Sequence, residues 1–359
     1  MTDNNKTRIV VGLSGGVDSS AAASLLVEQG YDVVGITLKV WPQDCVSRAE
    51  DKCCGPQAVM DARSVADKLD IPYYLVDESK EFQRDVIDYF AAEYKAGRTP
   101  NPCVMCNEKL KFGNLIDRAR KLGAEYVATG HYARLEQRDG RTVLLRGRDA
   151  RKDQTYFLFS LGQEQLAHMM FPLGELQKSE TREVARCVNL KTAEKQESQE
   201  ICFVPDKDYK KFLTTAGLVE EHRGEIVDTR GQVLGHHDGI EFYTIGQRKG
   251  LGISSPTPMY VIELDPENNR VVVGGEELLL RDEFRIDRCN WIAFDHLAKP
   301  IEASAAIRYN HPGTEATVIP GENGQATVKL REPQRAVTPG QACVFYQDDL
   351  VVGGGWIMR

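Results

Sequence analysis

A chain of 359 residues, 42% apolar and 27% charged, has material for two or three domains and too much apolar content for disorder. A net charge of −8 at pH 7 excludes a uniformly basic nucleic-acid binder, and no apolar run approaches the ~20 residues of a membrane helix. The polar start over residues 2–7 does not read as a signal peptide, so a cytoplasmic protein is expected. In that compartment nine cysteines point to metal, redox or sulfur chemistry more than to disulfides.

Residues 8–13 are a short β-branched apolar run, which predicts a strand buried on both faces of a parallel sheet. Residues 21–27, rich in Ala and Leu and followed by Gly30, predict a helix. Between them stands Gly12-Leu13-Ser14-Gly15-Gly16-Val17-Asp18-Ser19. A strand, a Ser/Gly turn and a helix make an anion cradle: glycines allow close approach, and the N–H groups and dipole of the helix start favour negative charge. This is not G-x-x-x-x-G-K-[ST], because no lysine follows the glycine pair.

A second buried strand is expected over 31–40, then a polar loop over 43–56 whose Cys45, Cys53 and Cys54 could contribute to a metal site. Helical periodicity returns over 57–69, a strand over 73–76 and a helix over 82–95. Residues 98–107, with Cys103 and Cys106, read as a loop. A basic helix follows to about Leu122, and then a strand over 126–129 runs into Gly130 and His131. This alternation predicts an α/β fold with a doubly wound parallel sheet. Ligands in such sheets sit beyond the carboxyl ends of the strands, where Ser14, Leu38 and Gly130 fall. His131, at that edge, is read as meeting RNA, against the alternative of a satisfied strand-end histidine.

Residues 133–145 predict a hairpin turning at Asp139-Gly140, followed by short helices near 163–170 and 180–188. The polar stretch 191–199 is read as a mobile loop delivering Cys202. From about Gly224 short strands alternate with Pro, Gly, Asn and Asp turns, as in a small barrel or sandwich. Cys187, Cys289 and Cys343 fall in apolar-periodic segments and read as packing. Charge is uneven: residues 106–152 hold twelve Lys and Arg against six Asp and Glu, enough for a local phosphate-binding face.

Ser14-Gly15-Gly16-Val17-Asp18-Ser19 resembles the pyrophosphate loop of the ATP pyrophosphatases. With Asn101-Pro102, Cys106-Asn107, Gly130-His131-Tyr132, Lys152-Asp153-Gln154, Ile201-Cys202-Phe203, residues 246–250, Arg308-Tyr309 and Pro339-Gly340-Gln341, the whole chain resembles the tRNA-specific 2-thiouridylases. That resemblance implies a nucleotide domain of adenine nucleotide hydrolase-like type over 1–215, a small central β domain over 216–282 and a C-terminal β-barrel over 283–359. It implies ATP and Mg²⁺ as cofactors, adenylation of O2 of the wobble uridine, and replacement of that oxygen by sulfur. The nucleotide would sit on Gly12 to Ser19 with Leu38 and Gly130, and Asp18 would hold Mg²⁺; its competing reading is a helix cap, and one aspartate could serve both. Cys106 and Cys202 would be the catalytic pair. Asn101, Pro102, Cys103, His131, Lys152, Asp153, Gln154, Arg308, Tyr309 and Gln341 would meet tRNA of the Lys, Glu and Gln type. The implied sulfur source is a cysteine desulfurase or relay protein, with no membrane partner.

One position departs from the family pattern. Many members carry an aspartate three residues before the first active cysteine, where this chain has Cys103. Three thiolates, Cys103, Cys106 and Cys202, suit a [4Fe–4S] cluster with one open iron better than a four-ligand zinc site. The alternatives are Cys103 as a nearby redox partner, and a persulfide on Cys202 with Cys106 as its partner. The rival functions are an amide ligase on the same loop fold, which needs no cysteine pair, and a non-catalytic tRNA-binding protein stabilised by a metal.

Overall fold

The computed structural model describes residues 6–40, 55–195, 201–204 and 208–359. Two compact units emerge, one of Met1–Val86, Cys103–Lys207 and Asp349–Val351, the other of Ile87–Pro102, Asp208–Asp348 and Val352–Arg359. Cys45, Cys53 and Cys54, and with them the metal reading of that stretch, lie outside the described residues.

In the first unit the strands are β1 (Arg8–Gly12), β2 (Asp32–Lys39), β3 (Tyr73–Asp77), β4 (Tyr126–Ala128), the hairpin β5 (Ala133–Arg138) and β6 (Arg141–Arg146), and β7 (Met169–Met170). Five form one sheet in the order β3-β2-β1-β4-β7, every pairing parallel. The order reverses between β1 and β4, which opens a crevice beyond their carboxyl ends. β1 is buried on both faces, with Ile9, Val10 and Val11 fully inaccessible, so its sequence shows no polar alternation. The helix Val17–Glu28 follows it. Its Ala21, Ala22 and Ala23 are all fully buried, because small side chains on several faces let it lie between the sheet and the helix Lys178–Cys187.

Two glycines set the depth of the crevice. Gly15 has φ +69°, and a Cβ there would stand 2.2 Å from the Ala58 carbonyl oxygen on the helix Pro56–Leu69. Gly130, just past β4, packs on the first turn of the helix Val17–Glu28, where a Cβ would lie 2.6 Å from the Ser19 nitrogen. Both positions need glycine for approach, the first also for its left-handed backbone.

The stretch read as a loop over 98–107 is helical from Pro102. Pro102–Met105 runs into nine π-helical residues, Cys106–Asn114, and then the α-helix Leu115–Lys121. Proline fits a first helical turn because its missing N–H has no intrahelical acceptor there. The helix expected over 82–95 begins at Ser79 and carries a π turn at Gln83–Ile87. The residues expected to end a helix at 170 form the edge strand β7 instead. Part of the loop over 191–199 is a 3₁₀ turn, Lys191–Glu194, held by Arg182, which donates to the Ala193 and Lys195 carbonyls. The hairpin turns as expected, with Asp139 at φ 50° and Gly140 at φ 77°.

The second unit carries β8 (Gly224–Val227), β9 (Val233–His237), β10 (Tyr260–Asp265) and β11 (Arg270–Gly274) in one sheet, order β10-β11-β8-β9. Six further strands, β12 (Leu280–Trp291), β13 (Ile301–Ala306), β14 (Thr314–Pro320), β15 (Ala326–Arg335), β16 (Ala342–Gln347) and β17 (Leu350–Ile357), run in the order β12-β15-β14-β13-β16-β17. A β12–β17 pairing closes them into a barrel. Cys343 is in the barrel core with Cys289 packed against it, whereas Cys187 is exposed, contrary to its reading as packing.

Replacing Gly130 by alanine is expected to lower stability by about 1–3 kcal/mol, the usual cost of overpacking, in urea titrations. An unchanged midpoint would mean that the helix start can retreat freely.

Candidate active site

The turn after β1 is fixed by hydroxyl groups. The Ser14 N–H donates to Ser19 Oγ at 3.1 Å, the two serine hydroxyls lie 3.1 Å apart, and Ser19 and Ser20 both donate to the Gly16 carbonyl. Upstream, the buried Thr37 hydroxyl donates to the Leu13 carbonyl at 2.6 Å and receives Tyr73 Oη–H at 2.8 Å. The chain therefore leaves β1 in one direction, and the N–H groups of the first helical turn, which have no intrahelical acceptor, are left for an anion. Leu38 is half-buried near the end of β2.

Asp18 is the second residue of its helix, and Gly16 occupies the cap position, so the helix-cap reading of Asp18 does not hold. Its Oδ1 receives Lys178 Nζ at 2.6 Å and lies 3.0 Å from the hydroxyl of Tyr132, itself 2.8 Å from Thr181 Oγ1. Lys178 is 12% exposed and also lies 5.7 Å over the Tyr132 ring. On the other side of the turn, Lys195 Nζ donates to the Gly15 carbonyl at 3.1 Å and to Asp61 Oδ2 at 2.7 Å. Burial pushes the Asp61 carboxyl up, but the hydrogen bonds from Lys195 and Gln57 outweigh it and leave the group below the usual carboxylate range. The loop has no lysine of its own, yet two ammonium groups flank it. Neither is legible in the local sequence, since they arrive from 160 and 180 residues away.

His131 and the Lys152 to Gln154 turn come out differently from their reading. His131 is buried between Phe112 and Phe171, its Nδ1 2.7 Å from Thr129 Oγ1, and burial drives its pKa well below the ordinary value. It is the satisfied histidine, not a residue facing outward. Asp153 is buried too, bound to Arg146, the Gly147 N–H and Thr155. Gln154 brackets Tyr132, donating its N–H to that residue's carbonyl and accepting its N–H on Oε1. Gln154 thus positions Tyr132, and through it Asp18. Lys152 is half-buried.

Cys103 and Cys106 stand three apart at the start of the helical run, a spacing that puts them on one face. Asn107 anchors the run by donating to the Phe157 carbonyl at 3.0 Å, and Gln165 donates to the Glu108 and Phe112 carbonyls that the wide π turns leave open. Cys202 sits in a tight turn closed by Val204 N–H to Ile201 O, and the buried Phe203 packs edge-on against Phe82. Among the described residues no three His, Cys, Asp or Glu side chains gather as a metal site requires. Cys103, Cys106 and Cys202 therefore do not form the three-thiolate set, and the cluster expectation does not fit. Burial raises the Cys289 thiol to about 12 and pushes Cys343 up further, so both stay neutral.

In the second unit Asn101 and Pro102 are buried, and Gln341 donates to the Thr99 and Pro100 carbonyls just before them. Gln341 thus holds protein backbone. Arg308 and Tyr309 are exposed. At least seven of the twelve basic residues over 106–152 have acidic partners, five of them from outside that stretch, which reduces the expected positive face.

A parallel α/β domain with a pyrophosphate-type glycine turn at its switch point, followed by a small β domain and a β-barrel, defines a nucleotide-using enzyme of the HUP class. Family models agree: a tRNA methyl transferase HUP domain matches residues 7–206, a tRNA methyl transferase PRC-barrel domain 210–275, and an aminomethyltransferase β-barrel domain 281–357. The chain is 50% identical over 353 residues to the tRNA-specific 2-thiouridylase MnmA of Clostridium perfringens, covering 98% of each chain. It is 51% identical over 351 residues to that of Moorella thermoacetica, covering 97% of this chain and 98% of the other. The chain belongs to the tRNA-specific 2-thiouridylase family. Among solved structures, a 4-thiouridine synthetase–RNA complex with bound ATP aligns at TM-score 0.35 and 18% identity over 59% of this chain and 50% of that one, too slight to bear on chemistry.

Since the folded pKa of His131 is depressed, its neutral burial favours folding fully above the ordinary value of 6.5 and loses that effect as pH falls below it. Its imidazole NMR signals are expected to stay those of the neutral ring down to pH 6. An ordinary midpoint near 6.5 would place the ring in solvent.

Proposed function

We propose that this chain is a tRNA uridine 2-sulfurtransferase that uses ATP to adenylate O2 of the wobble uridine and replaces that oxygen with sulfur. The observation that carries the reading is the completed glycine turn, with Asp18 and Gly15 each held by an ammonium group, in a chain half identical end to end to tRNA-specific 2-thiouridylases. Those full-length relatives outweigh the methyl transferase wording of the domain descriptions, because methyl transfer has no use for a pyrophosphate turn.

The chemistry follows from a poor electrophile. Uracil O2 attacks the α-phosphorus of ATP, the bond to the β-phosphate oxygen breaks, and pyrophosphate leaves toward the N–H groups of Gly15 to Ser19 and the helix dipole. Lys178 supplies positive charge on one side of the turn. Asp18 would hold Mg²⁺ through Oδ2, the oxygen that neither Lys178 nor Tyr132 takes. An ion bound there would neutralise phosphate charge, and one carboxylate suffices for Mg²⁺ that arrives with a nucleotide. A terminal persulfide sulfur on Cys202 then attacks C2, and AMP departs with the original oxygen. The Cys106 thiolate attacks the Cys202 sulfur, breaking the S–S bond, so that the base keeps one sulfur and a Cys106–Cys202 disulfide remains for a thiol reductant. The persulfide would come from a cysteine desulfurase or relay protein, and the substrates would be tRNAs of the Lys, Glu and Gln type. Exposed Arg308 and Tyr309 are suited to hold RNA. No helix among the described residues is long and apolar enough to cross a membrane.

Asp18→Ala is expected to lower tRNA-stimulated AMP release at least 100-fold while tRNA affinity changes less than about threefold. Normal AMP release by that variant would remove Asp18 from the nucleotide site. Cys202→Ser is expected to release AMP without forming 2-thiouridine, and Cys103→Ser to keep both. Loss of thiolation in Cys103→Ser would return that residue to the chemistry.

A further inference from the structure

We infer that Lys195 is a positioning residue that keeps the Gly15–Gly16 peptide turned with its N–H available to phosphate, and that Asp61 is the group against which it works. The inference rests on the nucleotide-loop reading above and deepens it. Lys195 Nζ sits between two acceptors, the Gly15 carbonyl at 3.1 Å and Asp61 Oδ2 at 2.7 Å. Asp61 and Ala58 share the helix Pro56–Leu69, and Ala58 is the residue whose carbonyl closes over Gly15. The ammonium thus separates a carbonyl dipole from a carboxylate held in the same wall.

Peptide planarity gives this contact its consequence. In a trans peptide the carbonyl and the following N–H point to opposite sides. With the Gly15 carbonyl fixed on Lys195, the Gly16 N–H points away from Asp61 and joins the donors of the helix start. Remove the ammonium, and the Gly15 carbonyl faces a carboxylate with nothing between them. Both residues flanking that peptide are glycines, so rotating it meets little steric resistance. The rotated peptide would present a carbonyl oxygen where phosphate needs an N–H. Lys195 is 32% exposed and Asp61 19%, so the repulsion is only partly screened by water.

A direct phosphate contact by Lys195 makes a different prediction, and a double-mutant cycle separates the two. The readout is affinity for a non-hydrolysable ATP analogue by calorimetry, which does not depend on whether thiolation follows. Lys195→Met is expected to weaken binding at least tenfold and Asp61→Asn by less than threefold. The double variant is expected to return to within about threefold of the parent, because with Asp61 neutral the carbonyl no longer needs shielding. Lys195→Arg, which can still bridge the two acceptors, is expected to stay within threefold. Recovery in the double variant would also show that Lys195→Met had not simply misfolded. Additive effects of the two substitutions, with the double variant as weak as Lys195→Met, would overturn the inference. Unchanged affinity in Lys195→Met would do the same.

Discussion

The structure of the first unit depends on how closely a helix start can be pressed between its neighbours. The helix Val17–Glu28 is approached at its first turn by Gly130 and, through Gly15, by the helix Pro56–Leu69. Neither approach tolerates a Cβ. What the absence of side chains achieves is a set of backbone donors held at the sheet's switch point with protein packed on two sides. Everything charged in the site is arranged around that turn, and none of it comes from the turn itself except Asp18.

Seen this way, the lack of a loop lysine has a physical counterpart. A Walker-type loop carries its cation in sequence, whereas here Lys178 and Lys195 arrive from positions much later in the chain. Each ammonium is paired with a carboxylate, Asp18 or Asp61, so neither is a bare charge. Tyr132, bracketed by Gln154 and bonded toward Asp18 and Thr181, ties the end of β4 to the same arrangement.

Much of this was legible in the sequence, and the parts that were not have identifiable reasons. β1, the glycine turn and the hairpin at Asp139-Gly140 were readable because each depends on local composition. The helical run at Pro102 was hidden by two prolines and polar neighbours that suit either a loop or a first helical turn. β12 is hard to read in the sequence because only Ile286 of its twelve residues is buried, which leaves no alternation to detect. Asp153, Gln154, His131 and Gln341 looked like ligand residues because polar side chains in motifs invite that reading. Their partners are backbone groups and buried neighbours that only the tertiary fold supplies. The cysteine spacing suggested a metal, but three thiols count as a metal site only if folding gathers them, and among the described residues it does not.

The central proposal is that the chain thiolates tRNA through cysteine sulfur on an adenylated base. The most direct measurement incubates iron-free protein with ATP, Mg²⁺, a persulfide donor and unmodified tRNA, and digests the tRNA for mass spectrometry. The account predicts 2-thiouridine at the wobble position, with one AMP released for each sulfur inserted. Thiolation that appears only after reconstitution with iron and sulfide, or AMP release with no thiolated base, would contradict it.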